Sequence, residues 1–364
     1  MDRRNAPAPL EQRKDEIGLN ECIIQYGWNE HWQARWGELP DEGLTPARVT
    51  GRWRGQWEVA YEGGLALAGI TGRLRRDLPE DFFPEVGDFV GVRVESGTVL
   101  IAALLPRRAT LQRHMAFSVS GRQVMAANVD VAFAAMALDR DYSPARLERY
   151  LVAIAEGGVK PVALLTKADL CPNVWGKVYG LMDQFPGVDV VPVSALTGEG
   201  LESVRTHLGQ GRTAVVLGAS GAGKSTLLNA LFGEEILRTG GLRSDGVKGA
   251  HTTTNRQMVC LPDGTLFIDT PGMRELGVVG EGDGLTTAFA DVEELAEGCR
   301  FRDCRHEREP GCAVQQAVAE GRLDPHRLKR YRSLQREMAR EAEKAAYRLN
   351  HLSSSRRPDR ARER

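Results

Sequence analysis

The stretch Gly218-Ala-Ser-Gly-Ala-Gly-Lys-Ser225 constrains this chain more than any other. The apolar run Thr213–Leu217 precedes it and Thr226–Phe232 follows, so the pattern predicts strand, glycine loop and helix. Gly218, Ala219, Ser220, Gly221, Ala222 and Gly223 would turn their backbone N–H groups toward phosphates, where the helix dipole also favours negative charge. Gly221 and Gly223 permit backbone angles and a close approach that a Cβ would forbid. Lys224 is placed to reach the β- and γ-phosphates, Ser225 to ligate Mg²⁺, and Thr226 to bind the nucleotide beside them. From average residue usage, the four fixed positions coincide by chance in a chain of this length only about 1% of the time.

At 364 residues the chain has room for two or three domains. Its 42% hydrophobic and 27% charged content are those of an ordinary globular protein. A net charge of −1 excludes whole-molecule attraction to nucleic acid or membrane, so such binding needs local patches. Met1–Asn20 has no apolar core for a secretory signal, and no segment approaches the ~18 apolar residues of a spanning helix. A cytoplasmic protein without membrane contact is expected. Of the six cysteines, Cys299, Cys304 and Cys312 cluster, which in a reducing compartment points to metal more than to disulfides.

The chain divides by texture. Residues 1–43 form an extension in which Trp28, Trp32 and Trp36 repeat every four residues, a spacing that lines one face of a short helix. Docking on the body of the protein is the favoured reading, an aromatic surface for RNA bases the alternative. Residues 44–110 hold five short strand-like runs separated by glycines, which predicts a small OB-type β-barrel. Arg52, Arg54, Arg73, Arg75 and Arg76 offer it charge for phosphate, or merely a solvated surface. From Asn128 strands alternate with helices, the pattern of a mostly parallel sheet covered on both faces, and residues 111–283 are assigned to this α/β domain.

Two short pieces upstream of the glycine loop each end a predicted strand. In Thr166-Lys-Ala-Asp169, the aspartate can accept two hydrogen bonds from guanine's ring N1–H and exocyclic amine. Adenine would set an acceptor against that carboxylate and leave it unpaired. The apolar stem of Lys167 can lie against a purine, and Thr166 and Ala168 on either side of it are assigned to the same nucleotide-binding turn. In Ser194-Ala195, a backbone N–H can meet the guanine carbonyl oxygen. Downstream, His251-Thr-Thr-Thr254 lies in a Gly- and Arg-rich loop, and a strand ends in Asp269-Thr-Pro-Gly272. Asp269 would hold Mg²⁺, often through water, and the Gly272 N–H would contact the γ-phosphate. One threonine of the triplet, with Thr253 as the candidate, would complete the Mg²⁺ shell. The order is thus base, base, phosphate, first switch, second switch, whereas GTPases usually begin with phosphate. A circularly permuted P-loop GTPase accounts for it, because strand-end loops stay gathered on one sheet edge wherever the chain is cut.

Farther on, Cys299, Cys304, His306 and Cys312 make C-x₄-C-x-H-x₅-C, three thiols and one imidazole suited to a closed, structural Zn²⁺ site. Arg300, Arg302, Arg305 and Arg308 surround the ligands. Residues 284–350 are read as a helical zinc-knuckle domain, and 351–364 as a basic disordered tail; together with the barrel, this charge favours RNA.

Barrel, permuted GTPase and knuckle together resemble the ribosome small-subunit-dependent GTPases, the RsgA family, from about residue 47 to 340. The landmarks are Val86-Gly-Asp88, Arg107-Arg108, Ala127-Asn-Val-Asp130, Asp269-Thr-Pro-Gly272 and Glu309-Pro-Gly-Cys-Ala-Val314. The resemblance implies a monomeric GTPase that binds GTP and GDP, joins the 30S ribosomal subunit late in its maturation, contacts 16S rRNA, and hydrolyses GTP when the subunit stimulates it. It also implies that His251 positions the attacking water, since Met273 stands where Ras-like proteins carry glutamine. Thr166 departs from the family's commoner asparagine, which puts one tie between base loop and phosphate loop in question. Two alternatives are an RNA-binding regulator that uses GTP as a conformational ligand with negligible hydrolysis, and an ATP-dependent RNA enzyme, which Asp169 disfavours.

Overall fold

The computed structural model describes residues 21–39, 43–53, 55–79, 82–114, 122–140, 142–232, 256–269 and 283–355. Two short helices, α1 (Glu21–Gln25) and α2 (Glu30–Trp36), come first. Asn29 caps α2 by accepting from the His31 and Trp32 N–H groups, so only Trp32 and Trp36 lie in the helix. Trp28 joins them from the preceding turn. Trp28 and Trp32 are buried against Phe89 of the barrel, their ring centroids 5.5 and 4.3 Å from its own. The tryptophans therefore dock the extension rather than offer stacking faces.

The barrel is built from β1 (Thr45–Trp53), β2 (Gln56–Tyr61), β3 (Gly64–Ile70), β4 (Phe89–Glu95) and β5 (Thr98–Leu104), with helix α3 (Gly72–Asp77) after β3. Strand order β1-β2-β3-β5-β4 closes by pairing β4 back to β1, and β3 runs parallel to β5. Full closure leaves no free edge, and alternate residues such as Val49, Trp57, Val59, Val90 and Ile101 fill the interior. This is the expected OB-type barrel. Its arginines divide: Arg73, Arg75 and Arg76 are exposed along α3, Arg52 pairs with buried Glu85, and Arg54 lies outside the described residues.

A hairpin absent from the sequence reading follows, β6 (Thr110–His114) with β7 (Arg122–Ala127). The α/β domain then runs β8 (Val131–Ala137), α4 (Pro144–Glu156), β9 (Lys160–Thr166), α5 (Val174–Gln184), β10 (Asp189–Pro192), α6 (Leu201–Arg205), β11 (Thr213–Gly218), α7 (Lys224–Phe232), β12 (Arg256–Cys260) and β13 (Leu266–Asp269). Strands β10-β9-β8-β11-β13 are parallel, and β12 adds antiparallel to β13. Every residue of β8 is buried, as a strand covered on both faces requires. Ser143 caps α4 and Pro144 opens it, which fixes the start where the sequence placed it.

The barrel and the α/β domain share one sheet. β12, also unforeseen, pairs with β1 through Gly51↔Gln257 and Arg52↔Arg256. Arg48 of β1 is almost fully buried at this joint. It donates to the carbonyls of Gly87 (3.2 Å), Tyr26 (2.7 Å) and Asn128 (3.4 Å) and to Thr213 Oγ1 (2.8 Å), the first residue of β11. Burial pulls its guanidinium down to about 10, against the upward influence of Asp130 and Asp88, so it stays charged at neutral pH.

The C-terminal unit consists of α8 (Asp283–Ala288), α9 (Ala290–Ala296), α10 (Ala313–Ala319) and α11 (Pro325–Ser355). Leu285, Phe289, Val292, Val314, Leu328 and Tyr331 form its core, into which Val152 of α4 also packs. α11 continues to Ser355, so 351–355 extend the helix; residues 356–364 of the expected tail lie outside the described residues. No helix among the described residues is long and apolar enough to cross a membrane.

Candidate nucleotide site and metal centre

Strand β11 delivers its C-terminal end into the glycine loop, and α7 begins at Lys224. Gly221 and Gly223 adopt φ of +80° and +77°, left-handed conformations that turn successive N–H groups into a concave cradle. Lys224 Nζ donates to the Gly218 and Ala219 carbonyls at 2.9 and 2.7 Å, which anchors the ammonium beside the loop. Ser225 and Thr226 follow in the first turn of α7.

Both pieces that the sequence assigns to base reading reach the same sheet edge. Ser194 Oγ donates to Asp169 Oδ1 at 2.6 Å, so residues at the ends of β9 and β10 meet although a helix separates them in sequence. The Ala168 N–H donates to the Val193 carbonyl at 3.2 Å and locks the loops in register, while Ala195 follows at the same edge. Thr166 is buried, and its Oγ1 donates to the Ala222 carbonyl of the glycine loop at 2.7 Å. The tie that the Thr166 departure put in question is therefore present, made by a hydroxyl. Lys167 sits at φ +56° and its Nζ pairs with Asp139 Oδ2 at 2.7 Å. Asp169 is exposed.

Asp269 ends β13, next to β11 in the sheet, so its backbone lies beside the glycine-loop strand. His251, Thr253, Gly272 and Met273 lie outside the described residues.

The Cys₃His group is brought together as the spacing predicted. The ligand atoms of Cys299, Cys304, His306 and Cys312 all lie within 4.8 Å of one another. Cys299 Sγ is 3.8 Å from Cys312 Sγ, and His306 Nδ1 is 3.6 and 3.4 Å from those two sulfurs. Two sulfurs each 2.3 Å from a tetrahedral centre stand about 3.8 Å apart, so these are the edges of a zinc-sized tetrahedron. Burial keeps the His306 imidazole below its ordinary value, in the neutral form a ligand needs. Burial raises the Cys299 thiol, but the Val314 and Ala313 N–H groups and the neighbouring thiols outweigh it and leave it lowered. Cys304 is pushed up to about 11, by burial first and then by the other two sulfurs. A site that resists a second negative charge in this way is one a divalent cation would relieve. Glu309, which no spacing argument selects, accepts from the N–H groups of Arg305 (3.1 Å), Glu307 (2.7 Å) and Arg308 (3.0 Å). It thereby shapes the loop between two ligands. Arg300, Arg302, Arg305 and Arg308 are exposed around it.

A parallel sheet with base loops, cradle and β13 in rotated chain order, joined to an OB-type barrel, defines a circularly permuted P-loop GTPase. The RsgA GTPase family profile matches residues 104–279. The chain is 40% identical over 326 residues to "Small ribosomal subunit biogenesis GTPase RsgA" of Syntrophotalea carbinolica, covering 87% of this chain and 90% of that one. To the protein so named in Streptomyces coelicolor it is 42% identical, with 88% of each covered. The chain belongs to the RsgA GTPase family. Among solved structures, YjeQ from Thermotoga maritima superposes with a TM-score of 0.61 at 27% identity, over 81% of this chain and 99% of that one. YloQ, described as a circularly permuted GTPase, superposes at 0.59 with 23% identity, over 82% and 96%, which bears on fold alone.

Proposed function

We propose that this protein hydrolyses GTP to GDP and phosphate on the small ribosomal subunit, late in that subunit's maturation. The observation that carries the reading is the meeting of Asp169 and Ser194 at 2.6 Å on the same edge as the cradle, with Thr166 bonded into the cradle itself. An acceptor pair for guanine's N1–H and amine is then held at a fixed distance from the phosphate loop, which favours GTP over ATP. Relatives at 40% and 42% identity that carry the name of a small-subunit biogenesis GTPase support the same assignment.

In this mechanism the cradle from Gly218 to Gly223 binds the phosphates through backbone N–H groups, and Lys224 reaches the β- and γ-phosphates. Ser225, Thr253 and Asp269 hold Mg²⁺, which when bound with the nucleotide offsets the charge on its phosphates. Gly272 donates its N–H to the γ-phosphate, and His251 orients the attacking water, a task Met273 cannot perform. The subunit stimulates this turnover. Exposed arginines of α3 and the knuckle contact 16S rRNA, and one structural Zn²⁺ sits in the Cys₃His group. The protein works as a cytoplasmic monomer. The second switch leads straight into α8, which packs on α4, so its movement on hydrolysis can act on the C-terminal unit.

The test is phosphate release from GTP with and without purified small subunits, using large subunits as control. Strong stimulation by small subunits alone is expected. Hydrolysis that stays negligible with them favours the regulator that only binds GTP, and ATP displacing fluorescent GDP as well as GTP does would refute the guanine assignment.

A further inference from the structure

A third strand-end loop stands between the two that the sequence motifs pick out. β8 lies between β9, which carries the base motif, and β11, which carries the cradle, and its own loop contains none of the expected site residues. Register sets where that loop goes. Ala137 pairs with Thr166, and the Leu138 N–H donates to the Thr166 carbonyl at 2.9 Å, so the next residues of the two strands, Asp139 and Lys167, come side by side. The Tyr142 N–H then donates to the Asp139 carbonyl at 3.1 Å and closes a turn that fixes the aspartate.

We propose that Asp139 is a positioning residue of the nucleotide site, holding Lys167 as the platform on which the purine lies. Its carboxylate oxygen is 2.7 Å from Lys167 Nζ. Without that anchor a lysine stem samples many rotamers, and part of the binding free energy goes into ordering it. Lys167 is also held at φ +56° and ψ 41°, a conformation that non-glycine residues seldom adopt. Both ends of the side chain are thus fixed, by the left-handed backbone and by the ion pair. Lys167 and Asp139 keep about a third and a quarter of their side-chain surface exposed, at 34% and 24%, so the pair is moderate rather than strong. The platform touches the face of the base. It therefore does not report which groups the purine carries, a matter left to Asp169 and Ser194.

This inference rests on the guanine-nucleotide reading above, and the experiment separates the two. Fluorescent GDP is titrated against the full chain and against D139N, D139E, K167A and D139N/K167A, with GDP and IDP as competitors and D169N as reference. D139N is expected to weaken both nucleotides by the same factor, about threefold to fivefold, the range of a partly exposed ion pair. D139E should recover most of the loss, and D139N should add nothing once Lys167 is alanine. A merely structural aspartate would weaken binding equally with or without Lys167, and that result overturns the proposal. So does a D139N protein that binds normally while K167A does not, or a K167A protein that binds normally. If D169N too binds guanine nucleotides unchanged, the guanine assignment itself has failed.

Discussion

Replacing Glu148 tests how the C-terminal unit is fastened to the GTPase. Glu148 of α4 is 1% exposed and Arg327 of α11 is 2% exposed. The carboxylate accepts from Arg327 Nη1 and from Arg330 Nε, both at 2.7 Å. Arg327 is further paired with Asp291 at 2.9 and 2.7 Å, donates to the Ala288 carbonyl at 2.8 Å, and lies over Phe289 and Phe185. Burial pushes the Glu148 carboxyl above its usual range in spite of Arg330 and Arg327, so desolvation outweighs pairing and the pair contributes little net stability. Breaking it is another matter, because one partner stays behind in the interior. Such losses run to about 3–5 kcal/mol. For Glu148→Ala the lower end, about 3 kcal/mol, is expected, since Arg327 keeps Asp291 and Arg330 can turn to water. Arg327→Ala leaves the buried carboxylate with Arg330 alone and should cost about 4–5 kcal/mol.

The double replacement E148L/R327M strands no fully buried charge, since Asp291 and Arg330, which lose a partner, are partly exposed. It should lie within about 1–2 kcal/mol of the parent, so the two sites couple strongly. A chain of several domains need not unfold as one unit, so the assay is native-state hydrogen exchange of the amides in α9 and α11. If Glu148→Ala lowers their opening free energy by less than about 1 kcal/mol, or if the two single losses simply add in the double variant, the reasoning about a stranded charge is wrong.

Three further outcomes are expected. Thr166→Val removes the hydroxyl bonded to the Ala222 carbonyl, a loss of about 1 kcal/mol that should weaken GDP roughly fivefold in a fluorescence titration; Thr166→Asn should restore it. His251→Ala should keep GTP affinity and lose subunit-stimulated turnover in a phosphate-release assay, and unchanged turnover would remove His251 from the mechanism. Purified protein should carry about one zinc per chain by metal analysis. Cys312→Ser should abolish it, and chelation should make Cys299, Cys304 and Cys312 newly reactive toward a thiol reagent.

What the sequence made legible is what depends on neighbours along the chain. The cradle, the two base loops, α4 and the Cys₃His group are each specified within a few residues by glycine angles, caps and ligand spacing, and all formed where expected. The pairs that join distant segments left no local trace. Glu148 reads as one more polar position on an amphipathic helix, and Arg48 as the outward residue of an alternating strand, yet both are buried. Strand β12 is not evident in the sequence because Arg256-Gln-Met-Val-Cys260 is short and polar at its start. Its identity as a strand comes from the partners on either side, β13 and β1.

Three of the family landmarks, those around Asp88, Arg107 and Asn128, take on a physical meaning at that joint. Asp88, fully buried, accepts from the Glu85 N–H and receives Arg107 through both Nε and Nη2. Asn128 accepts the Arg108 N–H at 2.9 Å and donates to the Gly87 carbonyl at 3.1 Å. Asp130 pairs with Arg108 and accepts the Thr213 N–H at 2.8 Å. These residues come from three separate stretches, and none belongs to the glycine loop or to the turns after β9 and β10. They converge on the first residue of β11, the strand whose other end is the cradle. On the far side, Arg256 opens β12 and pairs with Glu85, which also binds Arg52. The barrel therefore grips two strands of the GTPase sheet, β11, which runs into the glycine loop, and β12. Backbone ladders and buried charge pairs, rather than a linker, join the barrel to the GTPase sheet.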